Sequence, residues 1–274
     1  MTDFSWLPKR LRFLLIGFCC FALCVACSST PTETTTNPTS PTSTAKILKV
    51  ATEPAFPPFE SKSPTGDGLV GFDIDLFNEI GKAAKFEVKF ESLPFDGIIP
   101  ALQAGTVDAA ISGMTITPER QKTVSFSRPY FKSGLAIAAR EESKDITGLE
   151  SLKDKKIAVQ IGTTGADKAK GVPGSKISTF DSAPLALQEL SNKNVDAVIN
   201  DAPVTLYALK SGNLKNIKVV GQLLTEEYYG IAIPKNSPNI ELVNQGLTTI
   251  IENGTYNTLY EKWFTGKPPE LPKS

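Results

Sequence analysis

The sequence predicts an α/β fold with two similar halves. Strand-like and helix-like segments alternate over residues 46–266, a pattern typical of mainly parallel sheets whose strands are joined by helices. Residues 102–112 and 190–200 resemble each other: in both, a helix ends, a turn follows, and Val-Asp-Ala opens an apolar strand that runs into polar residues. Because ligands of open α/β sheets bind beyond the carboxyl ends of strands, we expect a ligand between the two halves.

The individual elements are predicted from apolar periodicity and from capping residues. Asp73 is the expected N-cap of the first long helix, and Thr117, followed by Pro118 and Glu119, is the expected N-cap of a short one. The predicted strands are 47–51, 86–90, 109–111, 157–160, 195–199 and 229–233. The other predicted helices are 73–84, a short one at 98–104, and 183–190, 203–210, 240–252 and 256–264.

The first 45 residues predict an export signal and a tether. A basic start precedes an apolar segment at 13–26, which is short for a membrane span and typical of a signal peptide. Leu-Cys-Val-Ala-Cys at 23–27 resembles a bacterial lipobox, which implies that 1–26 is a lipoprotein signal and that lipid is attached to Cys27. An ordinary cysteine-rich signal peptide is the alternative. Residues 27–45 are mostly Ser, Thr, Pro and Asn and predict a flexible tether, so we expect an exported protein, lipid-anchored and facing the periplasm or cell exterior.

The composition excludes several kinds of chemistry. All four cysteines lie within the first 27 residues, and the chain has no histidine. The domain beyond the tether therefore cannot use a Ser-His-Asp or Cys-His site, and it is a poor candidate for zinc. A formal net charge of zero without a basic stripe gives no indication of nucleic-acid binding. No metal or cofactor is predicted.

The most informative motif is DAAISGMTITPER at 108–120. A strand ends there in a loop that contains Ser112, Gly113 and Thr115, and Arg120 follows within the first turn of a helix. The loop hydroxyls and backbone groups, with the two parallel N–H donors of an arginine, form a receptor for a small carboxylate. The alternative is that the hydroxyls satisfy the loop itself and that Arg120 lies on the surface.

Polar groups in the second half are candidates for the same ligand. Asp201 follows a strand and can pair with an ammonium group, although it can also cap the helix predicted at 203–210. Gln160, Thr163 and Thr164 lie in QIGTTG, where a strand runs through a small loop into a helix whose first N–H groups favour an anion. A simple strand–helix turn is the alternative for that loop.

The segment EPAFPPF at 53–59 follows the first strand and is stiffened by its prolines. Phe56 and Phe95 are candidates for flat apolar walls of the site. Glu53 is a candidate acceptor for a cationic or amide group. For each phenylalanine the alternative is a place in the core.

Seven motifs stand in an order that resembles the polar amino-acid-binding proteins of ABC importers, and the glutamine-binding and lysine/arginine/ornithine-binding branch most closely. Together the motifs span nearly all of residues 46–266. They are EPAFPPF at 53–59, GFDIDL at 71–76, FDGIIPAL at 95–102, SGMTITPER with VSFSRPY at 112–130, QIGTTG at 160–165, VDAVIND at 195–201 and ENGTYNTLYEKWF at 252–264.

The resemblance implies a type II periplasmic binding-protein fold, with two α/β lobes joined by two crossover strands and the ligand cleft between them. The ligand is expected to be enclosed when the lobes rotate about the crossovers. The implied divisions are 46–137 with 231–266 for lobe 1, 138–230 for lobe 2, 267–274 for a C-terminal tail, and crossovers near 136–140 and 228–231.

The resemblance also implies a role for each candidate residue. Arg120 pairs with the α-carboxylate of the ligand, and Asp201 takes its α-ammonium. Phe56 and Phe95 enclose the ligand side chain, and Glu53 meets its far end. The assisting groups are Thr115 and the backbone of Thr163 or Thr164 on the carboxylate, the Gly113 carbonyl and Thr115 on the ammonium, and Gln160 and Ser112 in the cleft wall.

The implied function is a monomeric, non-enzymatic binding protein that delivers a free L-amino acid to an ABC permease. Glu53 stands where relatives often have Asp, and Gln160 and Asn200 stand where the glutamine-specific branch has a lysine and a histidine. An acidic side chain at the ligand tip, with no lysine beside it, leaves arginine, lysine or glutamine as the ligand. The alternatives are an enzyme resembling prephenate or arogenate dehydratases, with Asp201 as the acid, and a ligand-sensing domain for a membrane partner.

Overall fold

The computed structural model describes residues 46–212 and 214–272. The expected signal segment, Cys27 and the tether lie outside the described residues, as do the last two residues of the expected tail. Within the described ranges, no helix is both long enough and apolar enough to cross a bilayer.

The described chain alternates strands and helices as predicted. Its strands are β1 Lys46–Thr52, β2 Ala55–Phe56, β3 Glu60–Lys62, β4 Leu69–Val70, β5 Phe86–Ser92, β6 Ala109–Ala110, β7 Val124–Phe126, β8 Phe131–Ser133, β9 Leu135–Arg140, β10 Lys156–Gln160, β11 Lys176–Phe180, β12 Ala197–Asp201, β13 Ile217–Val220, β14 Glu227–Tyr229 and β15 Ala232–Pro234. Its α-helices are α1 Phe72–Ala84, α2 Phe95–Gln103, α3 Pro118–Gln121, α4 Thr164–Lys170, α5 Ala183–Ser191, α6 Ala202–Lys210, α7 Asn239–Glu252 and α8 Thr255–Trp263.

Each lobe is built on a five-stranded sheet, and the two sheets have the same design. The first has the order β5-β1-β6-β15-β7 and the second β11-β10-β12-β9-β13. In each, three parallel strands are followed by one antiparallel strand that pairs with a last strand at the edge. Four of the five strands in each sheet therefore run in the same direction, as the expectation of mainly parallel sheets requires, and only β15 and β9 run opposite to their neighbours.

The repeat seen in the sequence marks the same position in both sheets. Strand β6 is the middle strand of the first sheet, and β12 is the middle strand of the second. Asp108, just before β6, accepts a hydrogen bond from the backbone N–H of Lys49 at 2.9 Å, and Asp196, just before β12, accepts one from Lys156 at the same distance. The Asp of each Val-Asp-Ala thus ties its strand to the backbone of the neighbouring parallel strand.

Two short antiparallel strands, β8 and β14, connect the lobes. Strand β8 leads from the first sheet to β9 of the second, and β14 leads back to β15 of the first. Because β9 pairs along its length with β12 and β13, the first crossover is β8 and not the expected 136–140. The expected strand at 229–233 is divided between β14 and β15 at Gly230, where a Cβ would lie 2.7 Å from the side chain of Ile116.

Helix α1 begins one residue earlier than predicted, and the expectation that Asp73 is its N-cap is wrong. Gly71 occupies that position with a φ of 145°, and a Cβ there would lie 1.9 Å from the carbonyl oxygen of Phe59. Asp73 instead lies buried in the first turn. It accepts hydrogen bonds from the Gly113 N–H at 2.9 Å and from the Tyr130 hydroxyl at 2.7 Å.

Candidate functional site

A cleft between the lobes is lined by nine of the eleven binding residues expected from the sequence. Phe56, Phe95, Gly113, Thr115 and Arg120 come from the first lobe, and Gln160, Thr163, Thr164 and Asp201 from the second. The other two lie directly behind the lining. Glu53 accepts a hydrogen bond from Gln160, and the Ser112 hydroxyl accepts one from the Glu53 N–H.

Arg120 is aimed into the cleft by the short helix α3. Thr117 caps this helix as predicted, because its hydroxyl accepts a hydrogen bond from the Arg120 N–H at 3.2 Å. The guanidinium donates to the carbonyls of Thr115 at 2.7 Å and Gly162 at 3.0 Å and lies 5.3 Å from the centre of the Phe95 ring. Among residues 46–212 and 214–272 it has no carboxylate within ion-pair distance. Burial lowers the pKa of the guanidinium, against the opposing effect of Asp201.

Asp201 occupies the N-cap position of α6, yet its side chain makes no capping hydrogen bond. Its carboxylate instead accepts a hydrogen bond from the Tyr229 hydroxyl at 2.6 Å and a longer one from Ser133 at 3.4 Å. Burial raises the pKa of Asp201 to about 7, and the hydrogen bond from Tyr229 limits the rise. The capping alternative is therefore wrong, and a buried carboxylate faces the cleft without an ion-pair partner in the described part of the chain.

Glu53 and Gln160 meet across the cleft. The Gln160 amide donates to the Glu53 carboxylate at 2.8 Å and to the carbonyl of Asp181 at 3.1 Å. Glu53 is only 5 % exposed, and burial raises its pKa to about 7, with the Gln160 hydrogen bond opposing the rise. A cation in contact with this carboxylate would restore its ionised form.

The threonines of the second lobe serve different purposes. Thr163 caps α4, since its hydroxyl accepts from the Ala166 N–H at 3.1 Å and donates to the Gln160 carbonyl at 2.8 Å. The Thr164 hydroxyl donates to the carboxylate of Glu227 at 3.0 Å. Thr163 thus contributes its backbone to the cleft, whereas the Thr164 side chain is part of a wider network.

Phe56 and Phe95 both line the cleft, and both are at least nine-tenths buried. Gly113 lies against Phe56 with a φ of 52°, and a Cβ there would approach the ring to 2.6 Å. A side chain at this position would therefore displace Phe56 as well as strain the backbone. The apolar walls and the glycine form one tightly fitted part of the cleft.

Sequence reasoning missed three buried carboxyl groups. Glu227 on β14 accepts hydrogen bonds from Thr115, Thr164 and Thr225. Its one available signal is strand alternation, which places it on the same face as the buried Tyr229. The other two are Glu60 and Asp73, which contact Ser112 and Gly113 from behind the cleft.

Glu60 and Asp73 form a fully buried carboxyl pair behind the Ser112–Gly113 turn. The Ser112 hydroxyl donates to Glu60 at 2.7 Å, while the second oxygen of Glu60 and Oδ1 of Asp73 have no donor among the described groups. Burial raises the pKa of Glu60 well above its usual range and that of Asp73 to about 6. Burial and the neighbouring Asp73 both favour the protonated form of Glu60, so we expect the pair to hold one proton.

The geometry defines a class of protein: two α/β lobes, joined by two crossover strands, with a half-buried arginine and a buried aspartate in the cleft between them. The family model for bacterial extracellular solute-binding proteins, family 3, matches residues 48–266. The chain therefore belongs to that family.

The relatives are named as amino-acid-binding proteins. A probable histidine-binding protein of Neisseria gonorrhoeae is 34% identical over 80% of this chain and 83% of its own length. An arginine-binding periplasmic protein of Mannheimia haemolytica is 36% identical over 80% of this chain and 91% of its own. The solved structure of an ancestral arginine-binding protein bound to arginine has a TM-score of 0.77 and 46% identity, covering 80% of this chain and 98% of that one.

Proposed function

We propose that this protein is the extracytoplasmic substrate-binding component of an ABC importer. It binds a cationic L-amino acid, and arginine is the ligand that it prefers. The observation that carries the proposal is the pair of opposite charges, the half-buried Arg120 and the buried Asp201, which line one cleft from opposite lobes. A free α-amino acid carries one group for each of them. Arg120 takes the α-carboxylate through its parallel N–H donors, and Asp201 takes the α-ammonium.

The far end of the ligand is selected by Glu53. Three carboxylates (Glu53, Asp201 and Glu227) surround the cleft, while Arg120 is the one cation among its described lining residues. An amino acid with a positively charged side chain balances these charges better than a neutral one. Phe56 and Phe95 line the cleft, and aromatic rings suit the planar guanidinium of an arginine ligand, which can stack on them. The names of the relatives support arginine, and lysine and glutamine remain the nearest competitors.

Binding is coupled to closure because the site is assembled from both lobes. A ligand shifts the open–closed equilibrium only by its additional affinity for the closed form. Contacts across the cleft, such as Gln160 with Glu53 and Arg120 with the Gly162 carbonyl, would then add to the stability of that form. The closed protein would dock on a permease as a monomer and release the amino acid there.

We further propose that Cys27 carries the lipid anchor and that 27–45 is the tether. The basic start, the apolar segment and the lipobox-like sequence support this. Cys27→Ser should move the protein from the membrane fraction to the soluble fraction, and mass spectrometry of the wild-type amino terminus should find a lipid-modified cysteine. An unmodified Cys27 in membrane-bound protein would contradict the proposal.

The dehydratase alternative needs an acid positioned to protonate a leaving hydroxyl. Asp201 is the available candidate, and the α-ammonium accounts for it in a binding protein. An absorbance assay of the purified protein with prephenate and arogenate should show no turnover. Turnover without amino-acid binding would favour the enzyme.

A thermal-shift screen of the purified protein against the common L-amino acids tests the proposed function. A ligand at a hundred times its Kd adds about 2.7 kcal/mol to the free energy of unfolding, which is a rise of roughly 5–10 °C in Tm for a domain of this size. Arginine should give the largest rise. No response to any amino acid, or the largest response to glutamate or aspartate, would overturn the proposal.

A further inference from the structure

Glu227 is a buried carboxylate on the crossover strand β14 that is held by hydroxyl groups alone. It is 8 % exposed. Its oxygens accept hydrogen bonds from Thr115 at 2.7 Å, Thr164 at 3.0 Å and Thr225 at 3.1 Å. No lysine or arginine nitrogen lies within 4 Å of it in the described chain. A buried charge with no ion pair is costly, so its position requires an explanation.

The three hydroxyls connect both lobes to the crossover. Thr115 belongs to the loop that follows β6 in the first lobe, and Thr164 is the first residue of α4 in the second. Both donate to the same oxygen, Oε2 of Glu227. Both threonines also line the ligand cleft. Glu227 therefore joins the two sides of the cleft at one atom.

The direction of these hydrogen bonds restricts what the threonines can offer a ligand. An ionised carboxylate only accepts, and a threonine hydroxyl has a single proton. When that proton points at Glu227, the hydroxyl has only lone pairs left for the cleft. The hydroxyls of Thr115 and Thr164 can then accept from an ammonium group but cannot donate to a carboxylate, which leaves the carboxylate to Arg120 and to backbone N–H groups.

We infer that Glu227 is a positioning residue that fixes the Thr115 and Thr164 hydroxyls as acceptors for the α-ammonium of the ligand and links them across the closed cleft. The inference rests on the proposed function, because it names the part of the amino acid that these hydroxyls recognise. It adds Glu227 to Asp201 as a determinant of the preference for an α-ammonium. Glu227 acts through the threonines and does not itself contact the ligand.

Glu227→Gln tests this inference without a large change in shape. The glutamine amide can donate to a hydroxyl as well as accept, so the threonines lose their fixed direction. Calorimetry, with displacement titrations for weak ligands, would measure binding of L-arginine and of 5-guanidinopentanoic acid, which has hydrogen in place of the α-ammonium. Glu226→Gln is the matched control, because the carboxylate of Glu226 is next to Glu227 in the chain, is exposed and pairs with Lys132.

We expect Glu227→Gln to weaken L-arginine binding about 10- to 100-fold, the scale of a hydrogen bond to a charged group, while binding of 5-guanidinopentanoic acid changes little. Glu226→Gln should leave both affinities unchanged. Thr164→Val should also reduce the preference for the α-ammonium, and it provides the test if Glu227→Gln does not fold.

Two results would overturn the inference while leaving the proposed function intact. An unchanged preference for L-arginine over the analogue in Glu227→Gln and Thr164→Val would refute the orienting role of Glu227 alone. An equal loss for both ligands would mean that Glu227 only supports closure. A wild-type protein that binds no L-amino acid would instead overturn the proposed function, and this inference with it.

Discussion

The selection of the ligand's far end by Glu53 leads to a specific prediction for Glu53→Gln. The substitution removes the charge and preserves the shape, and the new side chain can still accept the hydrogen bond that Gln160 donates at 2.8 Å. What it removes is the negative charge that would pair with a ligand cation, at a site that is 5 % exposed. Arginine affinity should fall, whereas affinity for the neutral amino acid glutamine should change little.

The size of the effect follows from burial. Leaving a buried charge without its partner costs about 2–4 kcal/mol, which corresponds to a loss of roughly 30- to 1,000-fold in arginine affinity. Glutamine offers an amide that either side chain can bind, so its Kd should stay within about threefold. The ratio of the two affinities should therefore fall by at least about tenfold.

Calorimetric titration of the wild type and of Glu53→Gln with arginine and with glutamine measures this ratio directly. Glu87→Gln is the matched control, because Glu87 lies exposed on β5 of the same lobe. Comparable unfolding temperatures of the three proteins would show that folding is unaffected. If Glu53→Gln bound arginine as tightly as the wild type, the assignment of Glu53 to the ligand's cationic end would be refuted.

Three further predictions concern the remaining charges. Arg120→Lys should weaken amino-acid binding about 10- to 100-fold in calorimetry, because a lysine cannot make the bidentate contact with the α-carboxylate; an unchanged Kd would remove Arg120 from the site. Arginine affinity should be greatest above pH 7 and fall as pH decreases. Burial raises the pKa of Glu53 and of Asp201 to about 7, and the cationic ligand needs both carboxylates ionised. At pH 5.5 the affinity should therefore be lower by roughly 30-fold for each of the two groups that must lose a proton. A Kd that does not vary with pH would contradict this. Glu60→Gln should raise Tm relative to the wild type by about 3–6 °C at pH 8 and by less at pH 5.5. Equal shifts at the two pH values would argue against a shared proton.

The sign of the last prediction follows from proton linkage. Burial holds the folded-state pKa of Asp73 at about 6 and that of Glu60 well above its usual range, both above their unfolded values. The native state therefore binds more protons than the unfolded state, and stability falls as pH rises through the folded-state values. A glutamine at position 60 keeps a donor beside Asp73 at every pH, so its advantage appears where the wild type has lost its proton.

Local sequence signals were sufficient where the structure depends on local chemistry. Thr117 caps α3 because its hydroxyl reaches an N–H three residues ahead, and Thr163 caps α4 in the same way. The Val-Asp-Ala repeat correctly identified matching strands, since Asp108 and Asp196 bond to equivalent backbone groups. Arg120 and Asp201 were found because each follows such a strand.

The remaining features depend on contacts between distant segments. Aspartate is a residue type that often caps helices, but the close approach of Gly71 to Phe59 places the start of α1 earlier. Asp73 therefore lies within the first turn with its side chain in the interior. Glu227 has no motif of its own, since its three donors come from separate parts of the chain. The apolar run at 135–140 gives no sign that it belongs wholly to the second sheet, because that depends on its pairing with β12 and β13.

The central claim is that Arg120 of the first lobe pairs with the α-carboxylate of a cationic amino acid and that Asp201 of the second lobe pairs with its α-ammonium. Isothermal titration calorimetry of the purified protein with L-arginine and with agmatine, which lacks the α-carboxylate, tests it most directly. The account predicts a single site for L-arginine and binding of agmatine at least about 100-fold weaker, because Arg120 then has no carboxylate to pair with in the closed cleft. Equal affinity for the two compounds, or no binding of L-arginine, would contradict the account.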